Sequence, residues 1–243
     1  MKRTFLAIVA AFVCFMPPAA QAGTTEEWAV CRGGNDAKAI VACTSLIENA
    51  GLNDSQKAFA FNNRGLTYRF KGEYDLAIAD FSEAIRLKSD DAWAFYFRGL
   101  VYEGKGEYDL AITDNTEAIR LTPDYAEAFN NRGAAYEEKG EYDLAIADYT
   151  EVIRLKPDYA EAYYNRGIAY YAKGEYDLAI ADFSEAIRLK PNFAQAYANR
   201  GIARWKFGRK DNNALADLRQ ALKFNPNLDY ARAKLTEYLQ ASH

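Results

Sequence analysis

The nine-residue sequence GEYDLAIAD at residues 72–80 decides the fold of this chain. It recurs unchanged at residues 140–148 and 174–182, and with one alanine-to-threonine change at residues 106–114. Each copy begins 34 residues after the one before it. A fixed period of this length indicates a small unit copied in tandem, in which each unit buries its apolar face against its neighbours.

Working outward from this string gives five units, at residues 58–91, 92–125, 126–159, 160–193 and 194–228. Each unit contains two helix-sized segments. The first carries an aromatic residue at its fourth place and a glycine at its eighth, as in Phe61 and Gly65, on one helical stripe. A glycine inside a helix costs about 1 kcal/mol relative to alanine, so its presence in every unit predicts that the second helix presses against it.

This pattern resembles the tetratricopeptide repeat (TPR) family in its period, its two-helix layout, its mid-helix glycine and the proline that ends most units. The resemblance covers residues 58–228 and implies an all-α fold, a right-handed α-solenoid of helix-turn-helix repeats. More loosely, the chain resembles exported TPR proteins of bacteria. The arginine before each glycine, Arg64 in the first unit, replaces the leucine usual in the family. Asn115 stands at the place of Phe81 and Phe183, where a ring should pack, which predicts that the second unit is the loosest.

The ends of the array are predicted to be atypical units, as repeat stacks require. Ala39, Cys43 and Leu46 align with inward positions of the second helices, so residues 23–57 are predicted to form a degenerate helical hairpin. Residues 229–243 are predicted to form a capping helix with Leu235 and Leu239 turned inward.

Residues 1–22 have the pattern of a secretory signal peptide. Lys2 and Arg3 precede an apolar run that is too short to span a bilayer, and the small residues Ala20 and Ala22 supply a cleavage pattern. We therefore expect cleavage after Ala22, a periplasmic or secreted protein, and no membrane insertion after cleavage. An uncleaved amphipathic anchor is the alternative.

Two cysteines, Cys31 and Cys43, remain after such cleavage. They fall in two predicted antiparallel helices joined by a turn at residues 33–35, and an even pair in an oxidising compartment indicates a disulfide. Closing so short a loop stabilises a fold by about 2–3 kcal/mol in the chain-entropy model. The alternatives are two buried thiols or a redox pair, but no CxxC motif is present.

Composition argues against several classes of function. The net charge of −4 and the absence of a basic stripe disfavour nucleic-acid binding, which depends on phosphate neutralisation. His243 is the only histidine, which disfavours catalytic triads and histidine metal sites. No phosphate-binding glycine loop, serine elbow or metal-ligand cluster is present. We expect no enzyme activity, no metal and no cofactor.

In the resembling family the first helices line a concave groove, which implies two sets of candidate binding residues here. The first is a ladder of amides at one place in four units, interrupted only by Phe97: Asn63, Asn131, Asn165 and Asn199. A side-chain amide is both donor and acceptor, so such a ladder could pair with the backbone of an extended peptide. The alternative is that the amides satisfy groups of their own helix or of the neighbouring repeat.

The second set is aromatic and lies among acidic residues such as Glu127 and Glu161. Its members are Trp93, Tyr96, Tyr164, Tyr171 and Trp205. Aromatic anchors are common hot spots of interfaces, although packing between neighbouring first helices is the alternative. The basic places with which some family members hold an acidic tail are occupied by Asn62, Phe59, Glu127 and Asn130 in this chain, so that mode of binding is not expected.

Together these features predict a non-catalytic scaffold that binds an extended peptide or a segment of a partner protein in a concave groove. A self-associating structural protein of the cell envelope is the alternative, in which case the chain forms a homo-oligomer.

Overall fold

A computed structural model describes residues 23–34, 36–208 and 212–241. The predicted signal peptide, residues 1–22, lies outside these described residues. The described chain forms thirteen α-helices, and the predicted all-α solenoid is confirmed. The helices are α1 (Thr25–Gly33), α2 (Ala37–Glu48), α3 (Asp54–Lys71), α4 (Tyr74–Leu87), α5 (Ala92–Lys105), α6 (Tyr108–Leu121), α7 (Ala126–Glu138), α8 (Tyr142–Leu155), α9 (Ala160–Lys173), α10 (Tyr176–Leu189), α11 (Ala194–Lys206), α12 (Asn212–Phe224) and α13 (Asp229–Gln240).

The helices pair in chain order, and each pair packs on the next. From α3 to α12, each first helix contacts the first helix of the adjoining repeat, whereas contacts between the second helices of adjoining repeats are less extensive within the described residues. First helices are therefore the more closely spaced layer. A stack with one layer closer than the other curves toward that layer, so the first helices line its inner, concave side.

The turn within each repeat is fixed by the glycine of the recurring string. Gly106 has a φ of 78°, in the left-handed region that glycine adopts without strain. Its N–H donates to the carbonyl of Glu103, and the N–H of Glu107 donates to that of Tyr102, which satisfies two of the last carbonyls of α5. Gly72 and Gly174 end α3 and α9 in the same conformation.

In the first, third and fourth repeats the core is a ring pressed against the mid-helix glycine, and in the fifth repeat Leu218 takes the place of the ring. A Cβ placed on Gly167 would lie 2.8 Å from Cε1 of Phe183, and one on Gly133 would lie 2.9 Å from Cε1 of Tyr149. Both rings are fully buried. The close approach explains why glycine is kept at a position where it costs helix stability.

The second repeat has an amide in place of this ring. Asn115 is buried, and its Nδ2 donates to the carbonyl of Ala111 at 2.8 Å. Its Oδ1 has no hydrogen-bond partner within the described residues. A buried acceptor left unpaired costs about 1–3 kcal/mol, which supports the expectation that this repeat is the least stable.

The N-terminal hairpin of α1 and α2 is closed by a disulfide between Cys31 and Cys43, whose Cα atoms are 4.9 Å apart. Both cysteines are buried, and Leu46 and Leu52 complete a small core around them. Thr24 begins α1 with a reciprocal pair of hydrogen bonds to Glu27.

An arginine links three helices at every repeat junction, a feature that the sequence analysis treated only as a variant residue. Arg132 of α7 donates from Nε and Nη2 to both carboxylate oxygens of Asp148 in α8, at 2.8 and 2.7 Å. Its Nη1 donates to the hydroxyl of Thr116 in α6, one repeat earlier, at 3.1 Å. The same three-part bridge recurs with Arg64, Asp80 and Thr44; Arg98, Asp114 and Ser82; Arg166, Asp182 and Thr150; and Arg200, Asp217 and Ser184.

The capping helix α13 packs on α12 in the place that a sixth first helix would take. Ala231 and Tyr238 are its buried residues, while Leu235 and Leu239 pack at the margin of the same core. The inward turn of the two leucines is therefore only partial, because Tyr238 fills the deepest position. Within the described residues, no helix combines the length and the apolar character needed to cross a bilayer.

Candidate functional site

The candidate site is the inner face, defined as the exposed side of the first helices α3, α5, α7, α9 and α11. All nine predicted groove residues lie on these helices. Eight of them are partly buried, and Asn131 is buried with 6% exposure.

Two amides of the predicted ladder are hydrogen-bonded to the neighbouring repeat. Nδ2 of Asn165 donates to Oδ1 of Asn130 at 3.2 Å, and Nδ2 of Asn199 donates to the hydroxyl of Tyr164 at 3.0 Å. In each case a first helix bonds to the first helix before it. These contacts favour the alternative in which the amides satisfy groups of the neighbouring repeat, and they leave the amide oxygens as the atoms able to meet a ligand.

The other two amides differ from this pattern. Asn63 donates from Nδ2 to the carbonyl of Phe59 in its own helix at 2.7 Å. Asn131 faces the hydroxyl of Tyr96 in the preceding repeat, but its Nδ2 makes no hydrogen bond within the described residues. Burial raises the pKa of Tyr96 to about 12, so its hydroxyl stays protonated at neutral pH.

Phe97 interrupts the ladder and leaves a defect behind it. In the fourth and fifth repeats the asparagine at this place donates to the preceding first helix, but phenylalanine has nothing to donate. The residue left without that donor is Asn62, which is 4% exposed and whose Oδ1 has no partner within the described residues. Nδ2 of Asn62 donates to Oδ2 of Asp91 at 2.9 Å. From the sequence, Asn62 was noted only as the occupant of a place that is basic in some family members, and Asp91 was not selected; the break at Phe97 was the available signal.

Aromatic rings cluster on the inner face of the second repeat. The ring centroids of Trp93 and Phe97 are 4.2 Å apart, and those of Tyr96 and Tyr125 are 5.0 Å apart. Phe97 also stacks on the buried Phe81, with centroids 6.2 Å apart. The predicted anchors Trp93 and Tyr96 are thus held by their neighbours, with part of each side chain still exposed.

A second aromatic group lies at the C-terminal end of the inner face. Tyr164 packs on Phe193 with centroids 4.8 Å apart, and Tyr171 packs on Tyr176 at 5.3 Å. Trp205 stacks on Tyr238 of α13 in a nearly parallel arrangement, with centroids 4.0 Å and planes 5° apart. One face of Trp205 is therefore covered by the capping helix, which makes it a weaker candidate for ligand contact than Trp93.

The charged residues of the inner face are mainly acidic in the middle repeats. Glu103 and Glu137 lie on α5 and α7, and Glu127 and Glu161 lie in the first turns of α7 and α9. Glu161 pairs with Lys190 at 2.8 Å, and Glu127 pairs with Lys156. No group of three or more potential metal ligands occurs in the part of the chain that the structure describes.

Comparison with known proteins agrees with this geometry. Family models described as TPR repeat match residues 65–106, 104–140 and 135–174, and a model described as tetratricopeptide repeat matches residues 160–193. Together these matches span more than half of the chain. The chain belongs to the TPR family. A search among curated proteins gave no match.

Solved TPR structures share the fold. The crystal structure of MamA is 28% identical to this TPR chain and covers 70% of it and 92% of its own length, with a TM-score of 0.65. YrrB, described as a TPR protein with an unusual peptide-binding site, is 23% identical and covers 83% of this chain and 98% of its own, with a TM-score of 0.67.

The C-terminal part of a TPR repeat-containing protein from Cytophaga hutchinsonii is 22% identical to this chain. It covers 90% of this chain and 88% of its own length, with a TM-score of 0.74. TPR folds are typically scaffolds for interactions rather than enzymes, and no catalytic family matches this chain.

Proposed function

We propose that this TPR protein is a non-catalytic scaffold that binds an extended segment of a partner protein along its inner face. The observation that carries the proposal is the combination of a fixed backbone with partly exposed rings. The arginine bridges hold each first helix to two second helices, and Trp93, Tyr96, Tyr164 and Tyr171 project from the helices so held. A preorganised surface lowers the ordering cost of binding, and aromatic anchors supply much of the binding energy of interfaces.

The test is a selection of displayed random peptides on the purified chain, followed by affinity measurements on variants. Replacing Tyr96 and Tyr171 by alanine removes one ring from each of the two aromatic groups of the inner face and should weaken selected peptides at least tenfold. The matched control replaces Leu110 and Leu144, which are exposed on second helices, by alanine. Equal loss from both pairs of substitutions, or failure to select any peptide, would contradict the proposal.

Self-association is the second candidate, and one observation favours it. Leucines at the same place in four second helices, Leu76, Leu110, Leu144 and Leu178, are 43–49% exposed. A regular row of apolar side chains on a surface is a common feature of protein contacts. Light scattering after gel filtration separates the two candidates, because a concentration-independent monomer would exclude assembly through this row.

We also propose that the protein is exported and works in a periplasm or outside the cell. The proposal is supported by the signal-like pattern of residues 1–22 and by the pairing of Cys31 with Cys43. Expression of the full chain in a Gram-negative host should give a periplasmic product whose N-terminal sequence starts at Gly23. A cytoplasmic product that retains Met1 or Lys2 would contradict it.

A further inference from the structure

The inner face of the second repeat brings together amide and carboxylate oxygens and a pair of aromatic rings. We infer that the cluster of Asn62, Asp91, Tyr96, Tyr125 and Glu127, called the acceptor site below, binds the guanidinium group of an arginine in the partner segment. The inference rests on the proposed peptide-binding function and adds the chemistry of one recognised side chain.

One acceptor of the site, Oδ1 of Asn62, makes no hydrogen bond within the described residues. The side-chain amide is 96% buried and is held in place by the hydrogen bond from Nδ2 to Asp91. Within the described residues its Oδ1 has no donor, because Phe97 occupies the place from which Asn165 donates to the preceding repeat. An orphaned buried acceptor is costly, and a ligand N–H would remove that cost.

The carboxylate of Asp91 contacts the same side-chain amide. Asp91 accepts from Nδ2 of Asn62 at 2.9 Å and from the backbone N–H of Trp93 at 3.2 Å, where it begins α5. Its remaining lone pairs are acceptors as well, since an ionised carboxylate has no proton to donate. Oδ1 of Asn62 and the oxygens of Asp91 are therefore acceptors for an incoming group, and they suit a ligand with several donors in one plane.

The aromatic part of the acceptor site is a pair of tyrosine rings. Tyr96 and Tyr125 pack against each other with centroids 5.0 Å apart, and both are partly exposed. Glu127 follows Tyr125 by two residues, and its charge and that of Asp91 act in the same direction as burial, which raises the pKa of Tyr125. A guanidinium is planar, donates in a fixed fork and stacks on aromatic faces, so it matches both the acceptors and the rings.

The fourth repeat provides an internal comparison, because it has the same ring pair without the acceptors. Tyr164 and Phe193 repeat the packing of Tyr96 and Tyr125 with centroids 4.8 Å apart. At the places of Asp91 and Glu127, this repeat carries Tyr159 and Gln195, neither of which is a carboxylate. The oxygen of Asn130, at the place of Asn62, already accepts a hydrogen bond from Asn165. The acceptor chemistry is thus specific to the second repeat.

Two cations of the chain already act near the acceptor site. The charge of Arg69 partly opposes the rise in pKa that burial causes at Tyr96, and Lys156 pairs with Glu127. These two cations compete with a ligand cation for the carboxylates. Salt screens partly buried charges less than exposed ones, so it should weaken the binding of an arginine peptide without abolishing it. Oδ1 of Asn62 is buried, so contact with it requires a local rearrangement, whereas Asp91 is partly exposed.

The probe for this inference is the peptide acetyl-Gly-Ser-Gly-Arg-Gly-Ser-Gly-amide, titrated into the isotope-labelled full chain at millimolar concentration. Its controls carry citrulline, which has the same shape without the charge, or lysine in place of arginine. We expect the citrulline peptide to bind about tenfold more weakly, because hydrogen bonds to charged groups contribute more than neutral ones. The side-chain amide resonance of Asn62 and the indole resonance of Trp93 should move with the arginine peptide.

The discriminating variants are Asp91→Asn with Glu127→Gln and the matched control Asp90→Asn with Glu161→Gln. Both pairs change the net charge equally, asparagine keeps the capping role of Asp91, and Glu161 holds Lys190 as Glu127 holds Lys156. The first pair should reduce the preference for arginine over citrulline to less than about twofold, and the control pair should leave it unchanged.

The outcomes separate this inference from the proposed function. Equal binding of arginine and citrulline peptides, equal binding of arginine and lysine peptides, or no shift at Asn62 and Trp93 would overturn the acceptor site. In each of these cases the proposed function would still be tested separately, by the binding of display-selected peptides to the inner face. If no displayed peptide binds and the arginine probe also fails, the proposed function falls together with the inference.

Discussion

Replacing Asp148 by alanine tests whether the arginine bridges hold the repeats together. Asp148 is the sole carboxylate that Arg132 contacts in the described residues, and it receives two charge-assisted hydrogen bonds at 2.8 and 2.7 Å. The variant keeps the second-helix backbone and a helix-favouring residue. It removes the acceptor and leaves the guanidinium with Thr116 and the ring of Phe129, which lies 5.5 Å from it.

The expected cost follows from the burial of the pair. The side chain of Arg132 is 18% exposed and that of Asp148 is 6% exposed, so neither charge is well solvated. Removing one partner of a buried ion pair leaves the other charge uncompensated and costs about 3–5 kcal/mol. Because Arg132 keeps some exposure and one hydroxyl partner, we expect the lower end of that range, about 3 kcal/mol.

Burial raises the pKa of Asp148 even though Arg132 donates to it, which means that desolvation opposes much of the gain from pairing. Replacing both members by leucine, Arg132→Leu with Asp148→Leu, should therefore cost much less than the single change, within about 1.5 kcal/mol. The third variant, Glu151→Ala, removes an exposed pair with Arg154 and should cost less than about 0.5 kcal/mol.

The assay is urea denaturation followed by circular dichroism, with the free energy of unfolding extrapolated to water. The expected order of destabilisation is Asp148→Ala first, then the double leucine variant, then Glu151→Ala. A loss below about 1 kcal/mol for Asp148→Ala, or a loss equal to that of Glu151→Ala, would refute the view that the bridges hold the junctions.

Three further predictions concern packing. Reducing the Cys31–Cys43 disulfide, which spans 12 residues, should lower the stability of the N-terminal hairpin by about 3 kcal/mol, seen as a lower melting temperature; no shift on adding reductant would contradict this. Gly167→Ala should destabilise by about 1–3 kcal/mol because its Cβ would meet Phe183, whereas Gly33→Ala, with open space around it, should not destabilise; equal thermal shifts would contradict the glycine argument. Asn115→Phe should stabilise the second repeat by about 1–2 kcal/mol, because it removes a buried oxygen that has no partner within the described residues. The measurement is amide hydrogen exchange in α6, which should become slower. Faster exchange there would show that the ring does not fit against Gly99.

Much of the fold follows from the sequence because its pattern is local and repeated. The string GEYDLAIAD, the glycines at the eighth place and the spacing of Cys31 and Cys43 led to the helix pairs, to the close helix contact at Gly133 and Gly167, and to the paired cysteines. Each of these depends on neighbours within one unit or on a short loop, where helical period and turn chemistry are sufficient.

The arginine bridges were missed because their partners are distant in sequence. Arg132 lies 16 residues from both Asp148 and Thr116, in opposite directions, so no single helix face contains the three residues. The signal was present as an aspartate that ends every copy of the recurring string, two places before a serine or threonine. It becomes meaningful only once the helix pairs are stacked.

The candidate site was predicted only in part for a related reason. Its helices and most of its side chains follow from the repeat register, but the partners of those side chains depend on the adjoining repeat. The stack of Trp205 on Tyr238 and the unpaired oxygen of Asn62 arise from such neighbours. A large residue at Tyr238, where other first helices carry a small one, was the sign that the last groove position would be covered.

The bridges make the repeats interchangeable parts. Each arginine needs an aspartate from its own unit and a hydroxyl from the unit before, and every unit up to the fourth offers the same hydroxyl to its successor. Excising residues 126–159 would bring Arg166 against Thr116 instead of Thr150 and leave a fully matched joint. A gene for such a protein can therefore lose or duplicate a whole unit without spoiling a junction, so the reach of the molecule can change in steps while its fold is preserved.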